Sequence, residues 1–389
     1  MSTQPLDSTL TRFSPGMVKV TEEVYGTETP VVLEALTKPV GTYYVRCNTI
    51  KTSPEELQQR LEQHELKVHQ HPIITEALGI KIDGPFNIPS ADRKVIVDKH
   101  TAESVLQGAN VYAPGIMNCE NVKVDDTVAV VSELDDKLAT GTATMSERDI
   151  LTFRKGLAVM ITNRRFTAPQ VRELPEFAQG LFYPQSLAAM TTAHVLNPKD
   201  NETVVDMNCA PGGKLTHISQ LMHNSGKLLG FDRNHHKIAQ TRQTLTRLGC
   251  TNATLSIQDT RYLNLDFTEL QADRVLIDPP CSALGLRPKV YDHTTLERVN
   301  NLANYQKQFV KAGSKILRRG GTLVYSVCTY TREECEQVVE FAKQECDLTL
   351  AEQETLVASK APTELSPTYC QKFHPHLDEI GYFIAKFER

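Results

Sequence analysis

Two hydrophobic rhythms run through this chain, and the change between them falls near its middle. From Thr203 onward, short apolar runs alternate with stretches whose apolar residues recur every three or four positions. This predicts strands at 203–208, 227–232, 255–259, 276–277 and 322–327, alternating with helices, which is the pattern of a doubly wound parallel sheet. Helices are expected at 215–222, at 235–248 with Gly249 closing it, and through Leu296, Val299, Leu302, Phe309 and Ile316 to a stop at Gly320-Gly321. Thr331-x-x-Glu334 reads as a capping box opening a further helix, with Cys335, Val338, Val339 and Ala342 on its core face. A last pair, 348–350 and 382–387, completes the sheet.

The first half reads differently. Residues 13–36 have helical spacing with a break at Pro30, and Tyr43–Ile50 has strand character. Ser53, Pro54 and Glu56 then form a helix start, with Ser53 as cap and Leu57, Leu61 and Leu66 on one side. From about 93 the spacing shortens to strands at 95–98, 127–132 and 138–144, a short helix at 102–106 and an acidic turn at 133–137, as in a small barrel. Three domains are therefore expected: an N-terminal helical and α/β segment (1–92), a small β-barrel (93–168) and a Rossmann-like α/β domain (169–389).

Composition narrows the class without choosing a function. At 40% hydrophobic and 23% charged residues the chain is ordinary for a globular protein. It has no apolar run of about 20 residues and no apolar signal core, so neither a membrane span nor a secretory signal is expected. Nine cysteines without a C-x-x-C pair or metal-ligand spacing suggest free thiols in a reducing, cytoplasmic setting and no metal. A net charge of −5 means that any nucleic acid must bind a local patch. One such patch is visible: residues 151–172 carry Arg154, Lys155, Arg164, Arg165 and Arg172 and no acid, which suits a phosphate backbone, although a solvated basic linker would look the same.

The candidate chemistry lies at the carboxyl ends of the predicted strands, where open α/β sheets bind ligands. Val275–Ile277 ends abruptly at Asp278-Pro279-Pro280-Cys281, because proline cannot extend a sheet. A rigid acid and a thiol there suggest chemistry on a planar heterocycle. After the strand at 203–208 comes the tight turn Asn208-Cys209-Ala210-Pro211-Gly212-Gly213-Lys214, whose glycines let backbone approach a ligand. Asp232 ends the next strand, where an acid accepts ribose hydroxyls, and Asp259 ends the third, toward an adenine amino group. The turn fits neither a phosphate loop nor G-x-G-x-x-G. A nucleoside with a charged amino-acid tail fits better, and S-adenosyl-L-methionine is the expected cofactor, held by residues 208–214, Asp232, Asp259 and Asp278.

Asp206-Met-Asn-Cys-Ala-Pro-Gly-Gly-Lys214, Asp278-Pro-Pro-Cys281 and Tyr325-Ser-Val-Cys-Thr329 resemble, in order and spacing, the motifs of the Sun-domain (RsmB-like) RNA cytosine-5 methyltransferases. Phe373-His-Pro-His and Gly381–Phe387 resemble that family's last motif, and the likeness covers about 175–389. Asn208-Cys209 and Val327-Cys-Thr329 depart slightly from the usual wording. Arg46-Cys-Asn48 is similar to the family's RNA-recognition segment, while Gly108, Ala109, Pro114 and Gly115 match the hallmark of a PUA RNA-binding barrel. That combination resembles the branch called Sun-domain family member six, which methylates tRNA near its acceptor end.

The resemblance implies a class I methyltransferase fold, a thiolate adding to cytosine C6, and a monomer that holds a tRNA acceptor stem and CCA end. It implies that Cys328 attacks and Cys281 assists breakdown of the adduct, with Asp278 and Lys214 at the cytosine. Strand-end placement alone leaves the two thiols exchangeable, and DNA cytosine methyltransferases attack from the Pro-Cys position. Two other readings remain open: cytosine-5 methylation of another RNA, and a non-catalytic RNA-binding protein on a methyltransferase fold. An adenine amino-methyltransferase would want an aromatic residue where Cys281 stands.

Overall fold

Strand Ala272–Ile277 carries Val275, Leu276 and Ile277, none of which has a polar face to show to water, and it lies at the centre of the largest sheet. In this computed structural model, which describes residues 9–359 and 368–389, that sheet runs 253–257, 227–232, 203–206, 272–277, 317–327, 382–388, 349–350. The first five strands are parallel and 382–388 is antiparallel, with 370–373 also pairing to it.

Alternate residues point to opposite faces of a strand. Val204, Leu276, Val324 and Ile384 accordingly meet helices Leu187–Leu196, Gly213–Leu221 and His235–Leu248 on one side. Val205, Val275, Ile277, Leu323 and Tyr325 meet helices Leu296–Ile316 and Glu336–Glu345 on the other. The doubly wound α/β expectation holds.

Several boundaries differ from the sequence reading. The long helix ends at Ile316, and Leu317–Val327 is one strand that runs through Gly320-Gly321, because Leu317 pairs with Ala272 and the Gly320 amide bonds to Arg389. The third strand is Ala253–Ile257, so Asp259 lies beyond its end and caps the 3₁₀ turn Thr260–Tyr262. Thr331 and Glu334 do not cap a helix: the helix starts at Glu336, and Glu334 turns into the interior. The break in the first helical stretch is the 3₁₀ turn Gly26–Glu28, and Pro30 sits in the first turn of Thr29–Leu36, where its missing N–H costs nothing.

The N-terminal sheet has the order 182–184, 42–47, 77–81, 68–70, all antiparallel, with Leu57 and Leu61 of helix Pro54–Glu62 in its core. Phe182–Pro184, beyond the expected domain boundary at 169, therefore belongs to this sheet. The 93–164 unit is inserted into it. Its six strands run 111–112, 157–164, 137–143, 127–132, 93–97, 116–119 around Val95, Val97, Val128, Val130 and Val159.

Val290, from the loop after Cys281, also enters that small core, and Arg12 forms a two-pronged bond of 2.7 Å each to Asp136. Helices 15–25 and 29–36 pack through Met17, Leu33 and Leu36 onto Leu284, Val299 and Tyr330 of the large domain. None of the described helices is long and apolar enough to cross a membrane.

Candidate active site

Ile277 and Tyr325 are partners on neighbouring parallel strands, so the chain leaves both strands side by side. Asp278 and Cys281 follow one strand and Cys328 the other, which brings Cys281 Sγ and Cys328 Sγ to 3.2 Å. Two bonds zip the two loops together, Ser282 Oγ to Thr329 Oγ1 at 2.9 Å and the Gly285 amide to the Cys328 carbonyl at 3.2 Å, and the Gly381 amide ties the first loop to a third segment through the Gly285 carbonyl at 2.8 Å. Gly285 has to be glycine, since a Cβ there would lie 1.9 Å from the Gly381 carbonyl oxygen. The hydrogen bond between the two sulfurs, together with burial, holds the Cys281 thiol well above the usual range, so this sulfur keeps its proton.

Glu334 locks the loop from behind. It is fully buried and accepts from the Ser282 amide and from Gln306 Nε2, both at 2.8 Å, from Thr331 Oγ1 at 3.2 Å, and from the Ser282 hydroxyl. Gln306 also donates to the Pro280 carbonyl at 3.1 Å, and the Tyr325 hydroxyl donates to Gln306 Oε1 and the Glu334 carbonyl. Burial raises the Glu334 carboxyl above its ordinary value even against these donors.

Asp278 is held by Lys214 Nζ at 2.6 Å, Ser326 Oγ at 3.1 Å and the Tyr382 hydroxyl at 3.4 Å. Burial works against the charge on Lys214, but Asp278 and Tyr382 outweigh it and keep the ammonium protonated.

Asp278, Cys281 and Cys328 face a cleft of about 380 Å³ also lined by Asn208, Ala210, Asp232, Asn234, Asp259, Pro279, Tyr305 and Phe309 among others. Asp232, on the same lining, uses one oxygen to accept the Asn234 amide at 2.8 Å. Asp206 Oδ2 and Asn208 Oδ1 are buried acceptors without a partner among the described residues. A cationic ligand rich in hydroxyl and amino donors, such as S-adenosylmethionine, would satisfy such acceptors, so the residues present fit that group.

The structure thus brings Asn208, Ala210, Asp232, Asp259, Asp278, Cys281 and Cys328 around one cleft. Others from the sequence list face elsewhere. The Cys209 thiol turns into the apolar core beside Gly230, and burial raises it far above the usual range. Pro211 and Gly212 shape the turn, Gly212 with φ of +105°, and Gly213 lies against the Tyr183 ring. Both oxygens of Asp259 are paired with Arg261, which lowers its pKa, so its role toward adenine is not that of a free acceptor.

Among the basic residues, Arg154 donates to the Ile116 and Pro114 carbonyls of its own domain, Arg165 to the Lys137 carbonyl at 3.3 Å, Arg164 is half-buried and Lys155 is exposed. Arg46 and Asn48, expected to recognise RNA, are buried and bonded inward. The sequence reading missed Glu334, Gln306, Ser326 and Tyr382. Ser326 and Tyr382 lie inside the quoted motifs 325–329 and 381–387, Glu334 reads as part of a helix cap, and Gln306 carries no signal.

Comparison with known proteins agrees with this geometry. Residues 193–388 match the family described as 16S rRNA methyltransferase RsmB/F. Residues 93–164 match the PUA domain, and 17–88 the ferredoxin-like domain of RsmF/B-like methyltransferases. The chain is 38% identical over 363 residues, 92% of each chain, to the tRNA (cytosine(72)-C(5))-methyltransferase of Pyrococcus horikoshii. It is 30% identical over 350 residues to human tRNA (cytosine(72)-C(5))-methyltransferase NSUN6, covering 80% of this chain and 74% of that one. The crystal structure of NSun6 from Pyrococcus horikoshii with SFG, an analogue of S-adenosylmethionine, superimposes with a TM-score of 0.91 at 36% identity, covering 97% and 98% of the two chains. With its thiol pair, its donor-seeking cleft and both accessory domains accounted for, the chain belongs to the RsmB/F family of S-adenosylmethionine-dependent RNA cytosine-C5 methyltransferases, in the form that carries a PUA domain.

Proposed function

We propose that this enzyme methylates C5 of cytosine 72 in the tRNA acceptor stem, as a monomer, with Cys328 as nucleophile and Cys281 as the group that helps release the product. The observation that carries the chemistry is the 3.2 Å approach of the two thiols that line the cleft. Cytosine C5 is too weak a nucleophile to take a methyl group unaided. Addition of the Cys328 thiolate at C6 makes the ring an enamine, and Asp278, held by Lys214, is placed to bind its polar edge. S-adenosylmethionine supplies the electrophilic methyl group.

Once Cys328 is a thioether it no longer holds a proton on Cys281, which removes the leading cause of the raised Cys281 pKa. Cys281 then gives its proton to solvent in the cleft, and the resulting thiolate takes the C5 proton as the bond from Cys328 to C6 breaks, which leaves 5-methylcytosine, the Cys281 thiol and the Cys328 thiolate.

The substrate reading draws support from the PUA domain and from the activity named for the relatives. The end pairs of an acceptor stem fray, so extruding that base costs least there. Arg164, Arg165 and Lys155 are the phosphate-facing candidates, while Arg154 acts through the PUA loop that it braces. Bisulfite mapping of tRNA incubated with the pure protein and S-adenosylmethionine should show conversion resistance at position 72, lost when the CCA tail is removed. Full activity on tailless tRNA, or methylation at another position only, would point to another RNA target.

A further inference from the structure

The arginine that the sequence assigns to RNA lies where RNA cannot reach it. Arg46 is 1% exposed. It is on strand Thr42–Cys47 of the ferredoxin-like sheet, yet its guanidinium crosses into the catalytic domain. Nη1 donates to the Gly213 carbonyl at 2.6 Å and to Gln185 Oε1, and Nη2 donates to Thr216 Oγ1 at 2.8 Å. Thr216 Oγ1 passes the contact on, donating to the Gly212 carbonyl at 2.7 Å. The chain of donors therefore ends on the backbone of the glycine turn whose residues 208 and 210 line the cofactor cleft.

Two further contacts repeat the pattern. The Tyr183 ring, on the edge strand of the same sheet, lies so close that a Cβ on Gly213 would be 2.9 Å from it. One helical step on, buried His217 meets Glu76 Oε1 at 2.7 Å, and His194 meets the same oxygen at 2.6 Å. Burial and Arg46 keep His217 neutral, down to about 3, so its ring donates a proton to a charged carboxylate. These three side chains gather metal-ligand atoms, but both ring nitrogens point their bonds at one carboxylate oxygen and a buried guanidinium shares the seam. That arrangement suits a polar strut.

We propose that Arg46 is a positioning residue for S-adenosylmethionine: with Thr216, Tyr183 and the Glu76–His217 pair, it makes the ferredoxin-like domain the back wall of the cofactor turn. On the other side the same first helical turn is tied through Lys214 to Asp278 at the reacting end. The turn is thus fixed between the accessory domain and the catalytic strand.

The primary readout is cofactor binding without RNA, so it stands apart from the tRNA assignment. Cofactor affinity is measured by calorimetry on the full chain, and tRNA affinity separately by filter binding, for Arg46→Ala and for the nearly isosteric Thr216→Val. Arg46→Ala should weaken S-adenosylmethionine binding roughly tenfold or more, because it leaves the Thr216 and Gly213 acceptors without their donor. Thr216→Val should weaken it severalfold, and tRNA affinity should stay within about twofold of the parent in both. Added guanidinium ion should recover part of the loss in Arg46→Ala, a rescue that general loosening of the fold would not give. If Arg46→Ala does not fold, Thr216→Val decides alone. Unchanged cofactor affinity with weakened tRNA binding would return Arg46 to RNA recognition and overturn the proposal.

Discussion

At 3.2 Å, one proton can serve both Cys281 and Cys328, and the two sulfurs differ in what surrounds them. Cys281 is tied to the Glu334 network through Ser282, whereas Cys328 directly follows its strand. Cys328→Ala should therefore give no covalent RNA adduct, and Cys281→Ala should accumulate one that survives denaturing electrophoresis; the opposite pattern would exchange the roles. Asp206 supplies a pH signature. Burial lifts its carboxyl from 3.8 to about 7, so the folded protein holds a proton that the unfolded chain releases. That contribution is complete below pH 3.8 and is lost as pH rises through about 7. Asp206→Asn should accordingly flatten the fall in denaturant midpoint between pH 5.5 and pH 8. Asp278, Cys281 and Cys328 were legible because chemically active residues right after apolar runs have few other reasons to be there. Arg46 was not. An arginine in a strand says nothing about which domain its head will reach.

The loop Pro279–Gly285 takes its shape from an element that sequence logic misread. Thr331-x-x-Glu334 has the letters of a capping box, and the same letters serve an inward turn when a buried partner offers donors. Glu334 collects four such donors from Ser282, Gln306 and Thr331. Glu334→Ala should cost roughly 1–3 kcal/mol for each buried donor left unsatisfied, read as a drop in thermal midpoint. It should also slow adduct formation while leaving S-adenosylmethionine affinity near that of the parent. Glu334→Gln, which keeps acceptor capacity, should lose less. The strands around this loop were readable because apolar runs of four to six residues between turn signals leave few alternatives. Their ends were less so, as at Gly320-Gly321, where pairing to Ala272 and Arg389 overrides a local stop signal. Helix starts with a matching cap, such as Ser53 accepting the Glu56 amide at 3.1 Å, came through intact.

Across the whole molecule, the PUA domain is docked rather than tethered. Arg12 grips Asp136, Val290 enters the PUA core and its amide bonds to Glu103 at 3.1 Å. A fixed spacing between barrel and thiols is what a measuring device needs. Arg12→Ala should lower kcat/KM on tRNA by up to roughly a hundredfold while cofactor affinity stays unchanged, since misplacement far from the chemistry acts on orientation. Neutralising Arg164 and Arg165 together should reduce the salt dependence of tRNA binding by about one to two ions, which a titration from low to high salt would show. The insertion of the barrel between strands 77–81 and 182–184 has a further effect, on how the protein is made. A ribosome releases the first three strands of the ferredoxin-like sheet long before their edge strand, and the acceptors at Gly213 and Thr216 emerge later still. Until then the Arg46 charge has no burial site, so the barrel, whose strands are all local, should mature first while the segment before it waits. A nascent chain arrested when residue 170 has just cleared the exit tunnel should show a protease-resistant core confined to about 93–168, with protection of the amino-terminal part appearing only once residue 216 has cleared it.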